Sequence, residues 1–218
     1  MKIIILGAKQ HAKVIVSILY EAKNKIDILG FLDDDPSLEG QKLLDIPILG
    51  PCSLISSLAN DQMIQGAIVG ISNRFMHIRS LWFQKILSLN LEPISAIHPK
   101  AYISPLASIG KGCVINPGVV INAFAKVGNN CVIYSNSSIE HENQLSDNVY
   151  VGPGVHFASH VRVCQNTFVG AGTNAIPDIH IGENVTIGAG SVLIKDIPDG
   201  YTAAGVPAKL LHNRKPKI

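Results

Sequence analysis

Two rhythms of apolar and polar residues divide the chain. Over residues 2–98, short apolar runs alternate with amphipathic stretches, in the order KIIILGA, HAKVIVSILYEAK, DILGFLDDD, GAIVGIS, NRFMHIRSLWFQKILSLN and EPISAIH. The short runs suit buried strands and the longer periodic stretches suit helices, so the order predicts a small parallel sheet flanked by helices. Ligands on such sheets bind beyond the carboxyl ends of the strands. Those ends are Gly7 to His11, Asp33 to Asp35 and Gly70 to Asn73, and they should converge on one crevice.

From Ile103 onward every sixth residue is apolar: Ile103, Ile109, Ile115, Ile121, Val127, Ile133, Ile139, Leu145, Val151, Phe157, Val163, Val169, Ala175, Ile181, Ile187 and Leu193. A mostly small or β-branched residue follows four places after each anchor, as at Ala107, Val119, Ala125, Val155, Thr167 and Val185. This is the hexapeptide pattern of a left-handed parallel β-helix, an all-β solenoid in which three hexapeptides make one triangular coil and residues 18 apart stack on one wall. The predicted organisation is therefore a Rossmann-like α/β domain over 1–98, then a β-helix over 99–218 with a short tail after GVPAKLL.

Stacking arithmetic brings out one feature. Gly152, Gly170 and Gly188 form a column without side chains, with Ala171 and Ala189 beside it. A bare strip lets a long, thin ligand such as a pantetheine arm lie close to backbone amides, although glycine at these positions equally serves coil geometry.

Composition narrows the classes of function. Of 218 residues, 47% are hydrophobic and 16% charged, ample for packed cores, and the net charge of +2 offers no broad field for nucleic acid. The amino-terminal apolar run is too short for a membrane span and runs into a charged helix, so a cytoplasmic protein is expected. Cys52, Cys113, Cys131 and Cys164 form no CxxC pair, and Cys113 and Cys131 fall at equivalent interior positions of the repeat, as small apolar filler.

The eight histidines separate by context. His77 lies in a helical stretch, His98 precedes Pro99 at the junction, and His212 belongs to the polar tail. His156 and His160 would resemble part of a trinuclear histidine site, but Val120 and Phe124 stand where a third histidine would be needed, so no metal is expected. His141 stands in IEHEN, between Glu140 and Glu142. A carboxylate neighbour can orient an imidazole and raise its basicity, and such a base suits removal of a proton from an amine as it attacks a thioester. A surface histidine among solvating acids has the same local sequence.

Taken together, GAKQHAKV, FLDDDP, IVGISNR, AIHPKAYISP, SSIEHEN, VGAGTNAIPDIHIGENVTIGAGSVLIKDIP and GVPAKLL resemble the bacterial hexapeptide-repeat sugar acyltransferases of the bacillosamine and perosamine N-acetyltransferase type, with the related sialic acid O-acetyltransferases. The resemblance implies an acetyl-CoA-dependent N-acetyltransferase acting on a nucleotide-linked 4-amino-4,6-dideoxy sugar, with acetyl-CoA as co-substrate. O-acetylation of sialic acid and a non-catalytic nucleotide-binding trimer are the alternatives. It implies His141 as general base with Glu142 raising its basicity. Lys9, Gln10, His11, Asp33, Asp34 and Gly70 would form the nucleotide-sugar pocket, Tyr150, Gly170, Ala171, Gly188 and Ala189 would meet the coenzyme, and the chain would form a homotrimer with coenzyme between neighbouring subunits. The chain departs from the family pattern at Lys9-Gln10, where small residues usually stand, and at Tyr134 and Tyr150, where the family often has Asn and His. It lacks GxGxxG, which argues against a dinucleotide cofactor.

Overall fold

The structure is a computed structural model and describes residues 1–23 and 25–213. The chain forms two compact units, Met1–Ile97 and His98–Ile218.

In the first unit the elements are β1 (Lys2–Leu6), α1 (Gln10–Glu21), β2 (Asp27–Leu32), a hairpin of β3 (Lys42–Leu43) and β4 (Ile46–Pro47), α2 (Ile55–Asn60), β5 (Gly66–Val69), α3 (Met76–Ser88) and β6 (Glu92–Pro93). The sheet runs β2-β1-β5-β6, with parallel pairing throughout. Ile3 to Leu6 are buried on both sides of the central strand β1, which is why its sequence is continuously apolar instead of alternating. One face packs Ile4, Leu6, Leu32, Ala67 and Val69 with Ile55, Phe83 and Ile86.

The chain leaves β1 toward β2 on one side and later returns to β5 on the other. The carboxyl ends of β1 and β5 are therefore a topological switch point, where an open crevice forms. Glycine is needed there. Gly7 has φ of +99°, and a Cβ on it would lie 3.0 Å from the Gly70 carbonyl.

In the second unit, two-residue strands recur every six residues from Tyr102–Ile103 to Val192–Leu193. Each pairs in parallel with the strand 18 residues on, giving rows such as Ile115, Ile133, Val151, Val169 and Ile187. Two further rows run through Ile121, Ile139, Phe157, Ala175 and Leu193, and through Ile109, Val127, Leu145, Val163 and Ile181. These are the three walls of the left-handed β-helix. Most anchors are fully buried, and each such side chain contributes about 1.5–3 kcal/mol through loss of apolar surface from water.

The residues four places after the anchors also point inward. Where they are polar they satisfy backbone carbonyls: Ser137 Oγ donates to Gly152 O at 2.9 Å and Thr167 Oγ1 to Gly182 O at 2.7 Å. Cys113 and Cys131 are buried free thiols, as expected. Tyr201–Gly205 adds to the wall ending at Thr186–Ile187 and folds back on Ala208–Asn213. GVPAKLL therefore lies in a hairpin, while the last part of the expected tail, 214–218, lies outside the described residues.

Each corner contains one residue with left-handed φ, at every sixth position from Gly112 to Gly190. Gly, Asn or Asp occupies all of these positions except Phe124, Glu142 and His160, which stand one coil apart in a single corner column. Left-handed backbone disfavours most side chains and is poorly suited to Phe or Glu. Coil geometry alone does not select those residues.

Candidate active site

The three strand ends form one crevice of about 780 Å³. Lys9, Gln10, His11, Asp33, Asp34 and Gly70 all line it, joined by Cys52, Phe75, Ile78 and Trp82. Two of its three acidic side chains after β2, Asp33 and Asp34, are committed to shaping the loops. Asp33 accepts hydrogen bonds from the amides of Ala8 at 2.8 Å and Asp35 at 3.0 Å, and Asp34 accepts from the Cys52 amide at 2.8 Å. Each carboxylate retains further lone pairs for a ligand.

Lys9 departs from the family's small residue and has its own partner, since its Nζ lies 3.0 Å from Asp35 Oδ2. That hydrogen bond raises the Lys9 pKa, while Asp35 is held low first by the Ser37 hydroxyl and then by Lys9. Lys9 also precedes the first turn of α1, whose unpaired amides face a ready partner in any anion.

His11 is 3% exposed, and burial, assisted by the nearby Arg79 guanidinium, lowers its pKa to about 3. It is a neutral imidazole at physiological pH and offers hydrogen bonds, not charge. Arg79, itself buried, donates through Nη1 to the Ile71 carbonyl at 2.6 Å and so fixes the loop after β5. Burial also pushes the Cys52 thiol up to about 12, which removes it as a nucleophile. The hydrophobic pair Ile78 and Trp82 was legible as an i, i+4 stripe on α3, but nothing in the sequence said which face of that helix meets the crevice.

On the β-helix, His141 occupies a corner, with its side chain 54% exposed. Its Nδ1 lies 3.3 Å from Glu142 Oε2, and the same oxygen lies 2.9 Å from His160 Nε2. The two imidazole rings meet edge to face, with centroids 5.6 Å apart. The sequence reading missed His160 as a partner of this pair. The signal was available, because 160 is 18 residues after 142 and so stacks on it.

His156 instead meets Ser138, Oγ to Nδ1, at 2.9 Å. His98 is structural, its Nδ1 accepting from the Lys100 amide at 3.0 Å. His141, Glu142 and His160 are also the one group of potential metal donors found among the described residues, with ligand atoms within 4.8 Å of one another.

The residues expected to meet a coenzyme fall into two groups. Ala171 and Ala189 are exposed at successive turns of one corner, next to Gly172 and Gly190, and a Cβ built on Gly190 would find open space. That edge presents almost nothing but backbone. Gly170 and Gly188 lie just inside it, where a Cβ on Gly170 would come within 2.5 Å of the Ala189 amide and one on Gly188 within 2.7 Å of Ala204 Cβ. Close coil stacking by itself accounts for those two glycines.

Tyr150 is 6% exposed, its hydroxyl donating to that of Tyr134 at 3.1 Å and its ring tilted against Phe168. The His141 corner and the Ala171–Ala189 corner are different edges of the solenoid, because 141 and 171 are 30 residues apart and not a multiple of 18.

An α/β unit with a switch-point crevice followed by a hexapeptide β-helix is the architecture of the hexapeptide-repeat acyltransferases. Comparison with known proteins agrees, and the chain belongs to the bacterial hexapeptide-repeat sugar acyltransferases. The PglD N-terminal domain family matches residues 2–86, and the bacterial transferase hexapeptide repeats match 106–141 and 160–195.

Among solved structures, PerB from Caulobacter crescentus, in complex with CoA and GDP-perosamine, is 29% identical with a TM-score of 0.89, over 97% of this chain and 98% of that one. The acetyltransferase domain of PglB from Neisseria gonorrhoeae in complex with acetyl coenzyme A is 29% identical with a TM-score of 0.85, over 96% of this chain and 98% of that one. A search of curated proteins returned no match.

Proposed function

We propose that the protein transfers the acetyl group of acetyl-CoA to the amine of a nucleotide-linked 4-amino-4,6-dideoxy sugar, with His141 as general base. The carrying observation is the contact between His141 Nδ1 and Glu142 at an exposed corner. A proton on Nδ1, donated to the carboxylate, leaves the Nε2 lone pair free to accept a proton from the substrate. The amine nitrogen attacks the thioester carbonyl as Nε2 takes its proton, the tetrahedral intermediate collapses, and the thiolate of coenzyme A leaves.

The crevice of the α/β unit takes the nucleotide part of the acceptor. Its acidic residues can accept from ribose hydroxyls or base N–H groups, while Lys9 and the first turn of α1 favour phosphate. The bare Ala171–Ala189 edge fits a pantetheine arm. Because that edge and His141 lie on different corners of one solenoid, a homotrimer would complete each site by bringing the base of one copy to the coenzyme edge of the next. The relatives with CoA and GDP-perosamine, or with acetyl-CoA, support this reading.

The test is an acetylation assay with acetyl-CoA and GDP- or UDP-linked 4-amino sugars, following thiol release and the mass of the product. His141→Ala should lower kcat by about 100-fold or more with KM for both substrates nearly unchanged. Wild-type turnover in that variant would remove His141 from its role.

A further inference from the structure

We infer that His160 is a positioning residue for this reaction, holding the Glu142 carboxylate in the place from which it orients His141. The inference rests on the reading of His141 as base.

Glu142 Oε2 is closer to His160 Nε2, at 2.9 Å, than to His141 Nδ1, at 3.3 Å. An exposed carboxylate with a single partner spends much of its time in other rotamers, because one surface contact barely offsets the entropy of holding a flexible side chain. A second donor on the same oxygen, delivered by a ring with only two torsions, restricts that freedom. The backbone sets the spacing: the His160 amide donates to the His141 carbonyl and the Glu142 amide to the Ala123 carbonyl, so the three residues are held in register by the coil itself.

The corner sequence supports the same assignment. Glu142 and His160 sit at left-handed positions that the rest of the described solenoid, Phe124 apart, fills with Gly, Asn or Asp. Histidine tolerates that conformation, whereas Glu142 is held against backbone preference, which points to a role for the carboxylate other than folding.

The contacts also fix the tautomers. His160 donates from Nε2 and His141 from Nδ1 to one acceptor, which leaves the outer nitrogen of His141 basic. Zinc is the competing explanation for two histidines and a carboxylate. Donors on one tetrahedral zinc, at about 2.0–2.2 Å from it, stand roughly 3.4 Å apart, whereas the 2.9 Å contact is a hydrogen-bond distance. Lys126 and Arg162 line the same shallow groove around Glu142 and His160.

Two substitutions separate positioning from packing. His160→Asn suits the left-handed turn, as its use at Asn130, Asn148 and Asn166 shows, but is too short to hold Glu142. His160→Gln can reach with an N–H. We expect His160→Asn to lower kcat about tenfold with both KM values and the melting temperature unchanged, and His160→Gln to recover much of the loss. Combined with Glu142→Ala, His160→Asn should cost nothing further, because it acts through the carboxylate.

Three results would overturn the inference: wild-type kcat in His160→Asn while His141→Ala is inactive, an equal cost with and without Glu142, or loss of wild-type activity to a chelator with recovery on adding zinc. Full activity in His141→Ala would instead defeat the general-base reading itself, which separates the two failures.

Discussion

The two units differ in the polar side chains they bury. The α/β unit buries a histidine and an arginine together, His11 and Arg79, 3% and 1% exposed, at the crevice and the loop after β5. The repeating coils bury mostly hydroxyl and amide groups, in Ser137, Asn143, Thr167 and Thr173, and carry His141, Glu142 and His160 at a corner, while the buried His98 lies where the solenoid begins. A solenoid interior is a column of repeated positions, where like charges would stack at each coil. A parallel sheet flanked by helices has unique sites, each able to take one ionisable group with its own surroundings. The proposed function follows the same division, with binding specificity in the irregular unit and chemistry at the exposed edges of the regular one.

The largest expected consequence is in stability against acid. Unfolded His11 takes up a proton below about pH 6.5, whereas the folded, desolvated imidazole refuses it until about pH 3. Between these values the unfolded state binds more protons, so stability falls as pH falls, by a few kcal/mol in all. Thermal unfolding at stepped pH should show this loss in the wild type and a shallower slope in His11→Asn. Parallel slopes for the two proteins would break the contrast between a unit with a buried neutral histidine and a solenoid that carries His141 in water.

Much of this was readable from the sequence, for reasons that differ between the units. Anchors such as Ile133, Val151 and Val169 are legible because a solenoid turns linear spacing into spatial stacking without further information. The crevice residues Asp33 and Gly70 are legible because strand ends on a parallel sheet face the same way. Trp82 and Arg79 were not, since the rotation of α3 depends on tertiary packing.

His160 was misread for a different reason. It stands 18 residues after Glu142 and so stacks on it, whereas the sequence reading grouped it with His156 as part of a histidine triad; His156 lies on a wall strand and His160 at a corner. Lys9 was read as an intrusion into the nucleotide loop, and its ion pair with Asp35 shows how that side chain is accommodated.

A second test sharpens the division of binding. Asp33 ties the β1–α1 loop to the loop after β2 by accepting from the Ala8 amide, and accepts from the Asp35 amide within its own loop, all in the α/β unit. Asp33→Asn is isosteric but replaces one of the two accepting oxygens with a donor, so one of these loop hydrogen bonds is lost. It should weaken nucleotide-sugar binding about tenfold by calorimetry and leave acetyl-CoA affinity unchanged. Equal losses for both ligands would contradict separate sites.

The smallest expected effect distinguishes two kinds of small residue on the β-helix. Ala189 is exposed at a corner where neighbouring Gly190 faces open space, so Ala189→Leu adds its side chain to solvent or to ligand, not to core. If the edge carries the pantetheine arm, KM for acetyl-CoA should rise a few-fold while the melting temperature holds. Gly170→Ala is the counterpart. Its Cβ would come within 2.5 Å of the Ala189 amide, so the coil must shift and the melting temperature should fall. If Ala189 serves subunit packing instead, Ala189→Leu will dissociate the oligomer and leave coenzyme affinity intact in the subunits that remain. Light scattering and coenzyme titration on one sample tell these outcomes apart, and the two variants together decide whether the bare edge exists for the ligand or for the coil.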